Sequence, residues 1–399
     1  MTRFPIRLLT RTGAAVLAAA ALTTATTAAA GTSVSTHAAP AGNPSVSVEQ
    51  FGTAPSGQKV QRYTLVNGHG MRVRVLTYGG IVQSIEVPDR KGRTADVALG
   101  YKTLDDYVAD QKNQNTYFGA LIGRYANRIA KGTFTLDGKT YHIPVNNNGN
   151  ALHGGTVGFN QKVWKAAPIK HGGTVGVRLT YVSPDGEMGF PGKLTTTVDY
   201  TIDAKNALRI VYDATTTKPT IINLTNHTYF NLAGEGTGDV YDELMQLNAG
   251  KYTPTDKLLI PTGAIDTVKG TPLDFTRAYP IGARIRDGFT QLVNAQGYDH
   301  NWVIDGGGKR LTEAAKVADP GSGRVLTTYT TEPGVQLYTS NFLDATEVGY
   351  SGRMYRQGDA FTLEAQHFPD SPNHPNFPST VLRPGQRYAQ TTIYAFSTY

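Results

Sequence analysis

Segments spread over most of the chain alternate apolar and polar side chains with the two-residue period of a β-strand, and that period limits what the chain can fold into. They are MRVRVLTY (71–78), VRLTYVS (177–183), LTTTVDYTI (194–202), ALRIVYDATT (207–216), GVQLYTSNF (334–342), AFTLEAQHF (360–368) and TTIYAFST (391–398). Turn sequences such as LDGKTY and PDGEMG separate them, and 44 glycines and 21 prolines favour strands joined by turns over long helices. The best helix signal is TLDDYVADQKNQ (103–114). The expected fold class is mainly β, a large sandwich of stacked antiparallel sheets.

Residues 1–39 read as an export signal and linker, and residues 40–399 as a single domain without repeats or low-complexity stretches. The N-terminus carries Arg3, Arg7 and Arg11 and no acid, then an apolar run from Gly13 to Leu22, then small-residue cleavage sites near Ala30 or Ala39. The apolar run is well short of the roughly 20 residues a spanning helix needs, so the expectation is a secreted protein with no stable membrane anchor. Losing three arginines and no acid lowers the formal charge from +7 to +4. With no lysine/arginine run to follow a phosphate backbone, nucleic acid is not an expected partner. The chain has no cysteine, so thiol chemistry is excluded and the exported fold must hold without disulfides.

NLTNHTYFNLAG (223–234) raises the question of function, because it sets one histidine among asparagines and aromatics. If 219–232 is one extended strand, His227 shares a polar face with Asn223, Thr225, Tyr229 and Asn231, a surface rich in donors and acceptors that suits a sugar. Two plainer readings stand beside it: a buried histidine satisfied by asparagine neighbours, and glycosylation sequons at Asn223 and Asn226, which a buried strand would make coincidental. LHGG places His153 before two glycines that let a backbone approach a ligand. LEAQHFPDSPNHPNFP puts Glu364 in mid-strand, where an unpaired buried charge would be costly. ANRI and GYDHNW add Asn127, Arg128 and Asp299, which could equally be an ion-pair partner and a turn residue. No metal site is expected, since neither H-E-x-x-H nor H-x-H spacing occurs and His153 and His227 have no obvious third ligand.

Taken in order, NTYFGALIGRYANRIAKGTFTLDGKTY, LHGGTVGFNQKVW, SPDGEMGFPG, NLTNHTYFNLAG, LIPTG, GYDHNW, SGRVLTTYTTEPGVQLYTSNFLD, LEAQHFPDSPNHPNFP and LRPGQRY closely resemble the aldose 1-epimerases, the galactose mutarotases, from about residue 50 to the C-terminus. The resemblance implies a β-supersandwich that interconverts the α and β anomers of a free monosaccharide such as galactose or glucose without a cofactor. It implies Glu364 as the base that takes the C1 hydroxyl proton and His227 as the acid that protonates the ring oxygen. It further implies His153 as a second active-site histidine, with Asn127, Arg128, Asp299 and Gln336 holding sugar hydroxyls. An acid role asks for a raised His227 pKa, which an ionised Glu364 nearby would supply. A glycoside hydrolase using Glu364 with Asp299, and a sugar-binding protein without turnover, are the alternatives from other classes.

Overall fold

The computed structural model describes residues 42–399, so the arginine-flanked signal and its cleavage sites lie outside the described residues. Those residues fall within one unit, Pro40–Tyr399. Antiparallel sheets dominate, as the two-residue period requires. One has five strands in chain order, from Ser45–Thr53 to Thr94–Asp96. A second has nine, with Leu194–Ile202, Ala207–Thr216, Tyr388–Thr398 and Arg324–Thr330 side by side at its centre. A third has six, in the order Tyr229–Phe230, Phe361–Gln366, Gly334–Tyr338, Asp299–Val303, Lys251–Thr253, Asp266–Thr267. Among the described residues, no helix is long and apolar enough to cross a membrane.

The alternation in the sequence becomes alternation in burial. Along Leu194–Ile202 every second side chain (Leu194, Thr196, Val198, Tyr200, Ile202) is buried. One core cluster joins all three sheets through residues such as Val73, Val198, Ile210 and Leu363. Tyrosines tie the layers at their polar tips: Tyr200 Oη donates to the Gly80 carbonyl (2.9 Å) and Tyr394 Oη to the Leu363 carbonyl (3.0 Å). The strand Phe361–Gln366 is buried along its whole length. Phe361 and Leu363 join the core cluster, and Glu364, on the alternate face, lines the cavity described below.

The anticipated helix is present as Leu104–Lys112, capped by Thr103, whose hydroxyl accepts from the Asp106 N–H while the Asp106 carboxylate reaches back to the Thr103 N–H. A second helix, Thr290–Ala295, was not anticipated; it is six residues long and lacks a side-chain cap. The single strand expected over 219–232 is corrected. That segment forms three two-residue pieces, Thr220–Ile221, Thr225–Asn226 and Tyr229–Phe230, each paired with a different partner. Asparagine side chains supply the hydrogen bonds that a ladder would otherwise give. Asn223 donates to the Ala126 and His367 carbonyls, Asn226 to the Gly119 carbonyl, and Asn231 to the Gly238 and Asp359 carbonyls. Every residue from 220 to 232 is buried, so no polar face looks outward and both sequons are inaccessible.

Gly154 shows how closely the loop of His153 is held. Its φ is +92°, and a Cβ there would lie 2.1 Å from the Gly123 carbonyl oxygen. Gly154→Ala is therefore expected to destabilise the protein by about 2 kcal/mol, the scale of a side chain forced into a disfavoured backbone region. A lowered urea midpoint at unchanged slope would show this; an unchanged midpoint would contradict it.

Candidate active site

Six of the seven residues singled out in the sequence line one cavity of about 260 Å³: Asn127, Arg128, His153, His227, Asp299 and Glu364. Strand register explains part of this. Asn301 pairs with Gln336 and Gln336 with Glu364, while Asp299 pairs with Tyr338 and Tyr338 with Thr362, which sets Asp299 and Glu364 on one face of the six-stranded sheet. His227 arrives from the asparagine-tied segment, its backbone N–H donating to the Ala120 carbonyl and its carbonyl accepting from the Gly119 N–H. His153 arrives from the LHGG loop at φ +51°.

Gln336 is the seventh, and it does not line the cavity. Its Nε2 donates to Asp299 Oδ1 (2.6 Å), while Arg128 Nη1 lies 3.5 Å from Asp299 Oδ2. Both oxygens of Asp299 are thus engaged, and Gln336 stands behind it as a support. Arg128 is steered by Asn127 Oδ1, which accepts from its backbone N–H, and by Asn147 Oδ1 at 3.3 Å from its Nε.

Glu364 and His227 face each other in the cavity, with His227 Nε2 3.5 Å from Glu364 Oε1. The expected protonation of this pair is corrected. Burial pushes Glu364 up to about 8, helped by the charge on Asp299 and opposed by Thr362 and Arg128. Burial also lowers His227 to about 3, with no rise from its neighbour. The separation agrees: 3.5 Å exceeds the roughly 2.7–2.9 Å of a charge-assisted N–H···O bond, so the resting pair is a carboxylic acid beside a neutral imidazole, not an ion pair. The physical reason is desolvation, which outweighs attraction between two groups that have both left water. Glu364 Oε1 accepts from the Thr362 hydroxyl (3.1 Å), and Glu364 Oε2 and His227 Nδ1 have no protein partner.

The backbone N–H of Asn127 donates to His153 Nδ1 (3.2 Å). That bond fixes the tautomer, so Nε2 carries the hydrogen and His153 is a donor. Burial keeps the ring neutral, and the Arg128 charge acts in the same direction. This bears on metal binding, because donor atoms of His153, His227 and Glu364 lie within 4.8 Å of one another, which supplies the third ligand the sequence left unseen. The chemistry of the set fits poorly. His153 presents N–H rather than a lone pair and the carboxylate is protonated, so a cation would have to displace the Glu364 proton and force His153 into the other tautomer, breaking the Asn127 bond.

Tyr229, named beside His227 in the sequence, lines the cavity, but its other aromatic walls were not expected. The Tyr117 ring centroid is 4.6 Å from that of His153 and 5.8 Å from that of His227, and Phe342 stacks on Tyr338 at the rim. Both lie inside quoted stretches, NTYFGALIG and TSNFLD, but aromatics at strand spacing are ordinarily core, and nothing local marked these as cavity walls.

With this geometry in view, the comparison with known proteins is direct. The family model described as Aldose 1-epimerase matches residues 61–395. The chain belongs to the aldose 1-epimerase family. Galactose mutarotase of Bos taurus is 43% identical over 353 residues, covering 88% of this chain and 99% of that protein. Aldose 1-epimerase of Escherichia coli K12 is 36% identical over 345 residues, covering 86% and 97%. Among solved structures, galactose 1-epimerase from Lactobacillus acidophilus aligns with a TM-score of 0.79 at 27% identity, covering 89% of this chain and 99% of that one. The mainly β, galactose mutarotase-like fold of the family is the fold described above.

Proposed function

We propose that this epimerase interconverts the α and β anomers of free aldohexoses such as galactose and glucose, with Glu364 and His227 as the proton-transfer pair. The observation that carries the reading is their 3.5 Å approach inside a cavity whose other polar groups are donors and acceptors for hydroxyls.

Opening a hemiacetal requires one proton to leave O1 while another reaches O5, so two groups of opposite role must flank the ring. Glu364 as carboxylate and His227 as imidazolium fit the cyclic sugar: O1–H gives its proton to Glu364 as His227 gives one to O5, and the C1–O5 bond breaks. The pair is then a carboxylic acid and a neutral imidazole, the state that burial favours at rest. The two states hold the same number of protons and differ only in where one sits. Ring opening therefore discharges an ion pair in a place that disfavours charge, which lowers the cost of making the open aldehyde. Sugar hydroxyls donating to the free Oε2 of Glu364 would stabilise the carboxylate when substrate binds. Rotation about C1–C2 and closure with the roles exchanged delivers the other anomer. The His153 N–H is suited to donate to a sugar oxygen, and Arg128 and Asp299 to hold hydroxyls, with Gln336 fixing Asp299.

We also place the enzyme outside the cell, on the support of the arginine-flanked apolar run and its alanine sites. Intact mass of exported protein should show the loss of about 30–39 residues; full-length chain retained in membranes would contradict export.

The activity is tested by polarimetry on fresh α-galactose. Wild type should accelerate the approach to equilibrium, and Glu364→Gln or His227→Asn should each lower kcat by at least about 100-fold, the lower end of what positioned acid–base groups contribute. The final rotation must be the same for all three proteins. Near-wild-type rates in a folded Glu364→Gln protein would remove Glu364 as the base.

A further inference from the structure

The loop that follows the Glu364 strand, FPDSPN (368–373), has no part in the chemistry above, yet it holds a buried carboxylate. The Asp370 side chain is 2% exposed, and its backbone adopts φ +56°, a region an aspartate enters at some cost and keeps only when its surroundings hold it there. What holds it is the segment that carries Arg128. The Asp370 N–H donates to the Arg128 carbonyl (2.9 Å), and Asp370 Oδ1 accepts from the Ala130 N–H (3.0 Å). Two bonds thus grip the main chain on either side of Ile129. Asn373 Nδ2 donates to the same Oδ1 (2.6 Å) and to the Thr133 carbonyl (3.0 Å), and His374 Nε2 lies 3.3 Å from Oδ2.

We propose that Asp370 is a positioning residue, which aims the Arg128 guanidinium into the cavity by clamping the Arg128–Ala130 main chain to the loop leaving the Glu364 strand. The need for a clamp follows from the local fold. Arg128 sits in a strand of two residues, Arg128–Ile129, whose ladder partner is Ala151–Leu152, and a ladder that short fixes direction poorly. From this base Arg128 must reach Asn147 Oδ1 at 3.3 Å and Asp299 Oδ2 at 3.5 Å, so a small backbone tilt, amplified along a long side chain, would misplace the guanidinium. The clamp also gives the buried carboxylate its hydrogen bonds, without which burying it would be costly. Through it, the element bearing Arg128 and the element bearing Glu364 share one rigid frame.

The inference rests on the sugar-binding reading of the cavity, and its test reads binding as well as turnover. Galactose affinity by calorimetry and mutarotation kinetics would be compared for wild type, Asp370→Ala, Asp370→Asn, Arg128→Ala and the Asp370→Ala/Arg128→Ala double variant. Asp370→Ala should raise Kd and KM about tenfold and leave kcat within about threefold, as lost positioning of a binding group does. Asp370→Asn keeps an acceptor oxygen and tolerates the positive φ, so it should stay within about threefold of wild type in all three. In the Arg128→Ala background the Asp370 change should add less than about twofold, because it acts through the missing guanidinium. If Asp370→Ala does not fold, Asp370→Gly carries the same expectation: it accepts the backbone angle and keeps the N–H bond to the Arg128 carbonyl, losing only the carboxylate. Unchanged Kd in the folded alanine or glycine variant, or effects that multiply in the double variant, would overturn the proposal. Wild type that binds galactose without accelerating mutarotation would sink the enzymatic reading and leave this test standing.

Discussion

The site depends on taking two titratable groups out of water together. A carboxylate or imidazolium alone in this cavity would bear a desolvation cost of several kcal/mol, and attraction across 3.5 Å does not recover it. The pair answers by neutralising: Glu364 holds its proton up to about pH 8 and His227 refuses one until about pH 3. This is more useful for a mutarotase than a permanent ion pair. A cyclic sugar needs a base and an acid, an open aldehyde needs the same two with roles exchanged, and one proton passed between Glu364 and His227 serves both directions.

Such a pair works only if the backbone around it holds still, and much of that backbone is not in regular ladders. His227 lies on a segment threaded between sheets by the side chains of Asn223, Asn226 and Asn231. His153 lies on a loop whose Gly154 no side chain could replace without displacing the Gly123 carbonyl. The regular sheets supply Glu364 and Asp299, and the irregular segments supply the two histidines and Arg128. Irregular backbone is tolerated in the interior here because asparagine amides and the Asp370 carboxylate satisfy the polar groups that strands would otherwise pair.

The division between regular and irregular backbone also marks what the sequence disclosed. Strands with a clean two-residue period, Leu194–Ile202 and Ala207–Thr216, are present over the residues that the pattern indicates, because one face meets the core and the other does not. The same reasoning failed for 219–232, since asparagines that look like the polar face of a strand are instead the bonds that break it. The cluster of Asn127, Arg128, His153, His227, Asp299 and Glu364 was legible through motif resemblance, which no periodicity would have assembled. The support role of Gln336, the walls at Tyr117 and Phe342 and the protonation of the central pair depend on burial and on side-chain direction, and neither is written in local sequence.

The protonation of that pair is read most directly from kcat/KM for galactose as a function of pH. The competent enzyme carries one proton on the pair, so a group raised to about 8 and a group lowered to about 3 predict a broad plateau that falls above about pH 8 as that proton leaves, with no acid limb until well below pH 5. Ordinary values of about 4.3 for glutamate and 6.5 for histidine would instead give a narrow bell, already down about tenfold by pH 7.5. A narrow bell would contradict the account that burial sets the chemistry of Glu364 and His227.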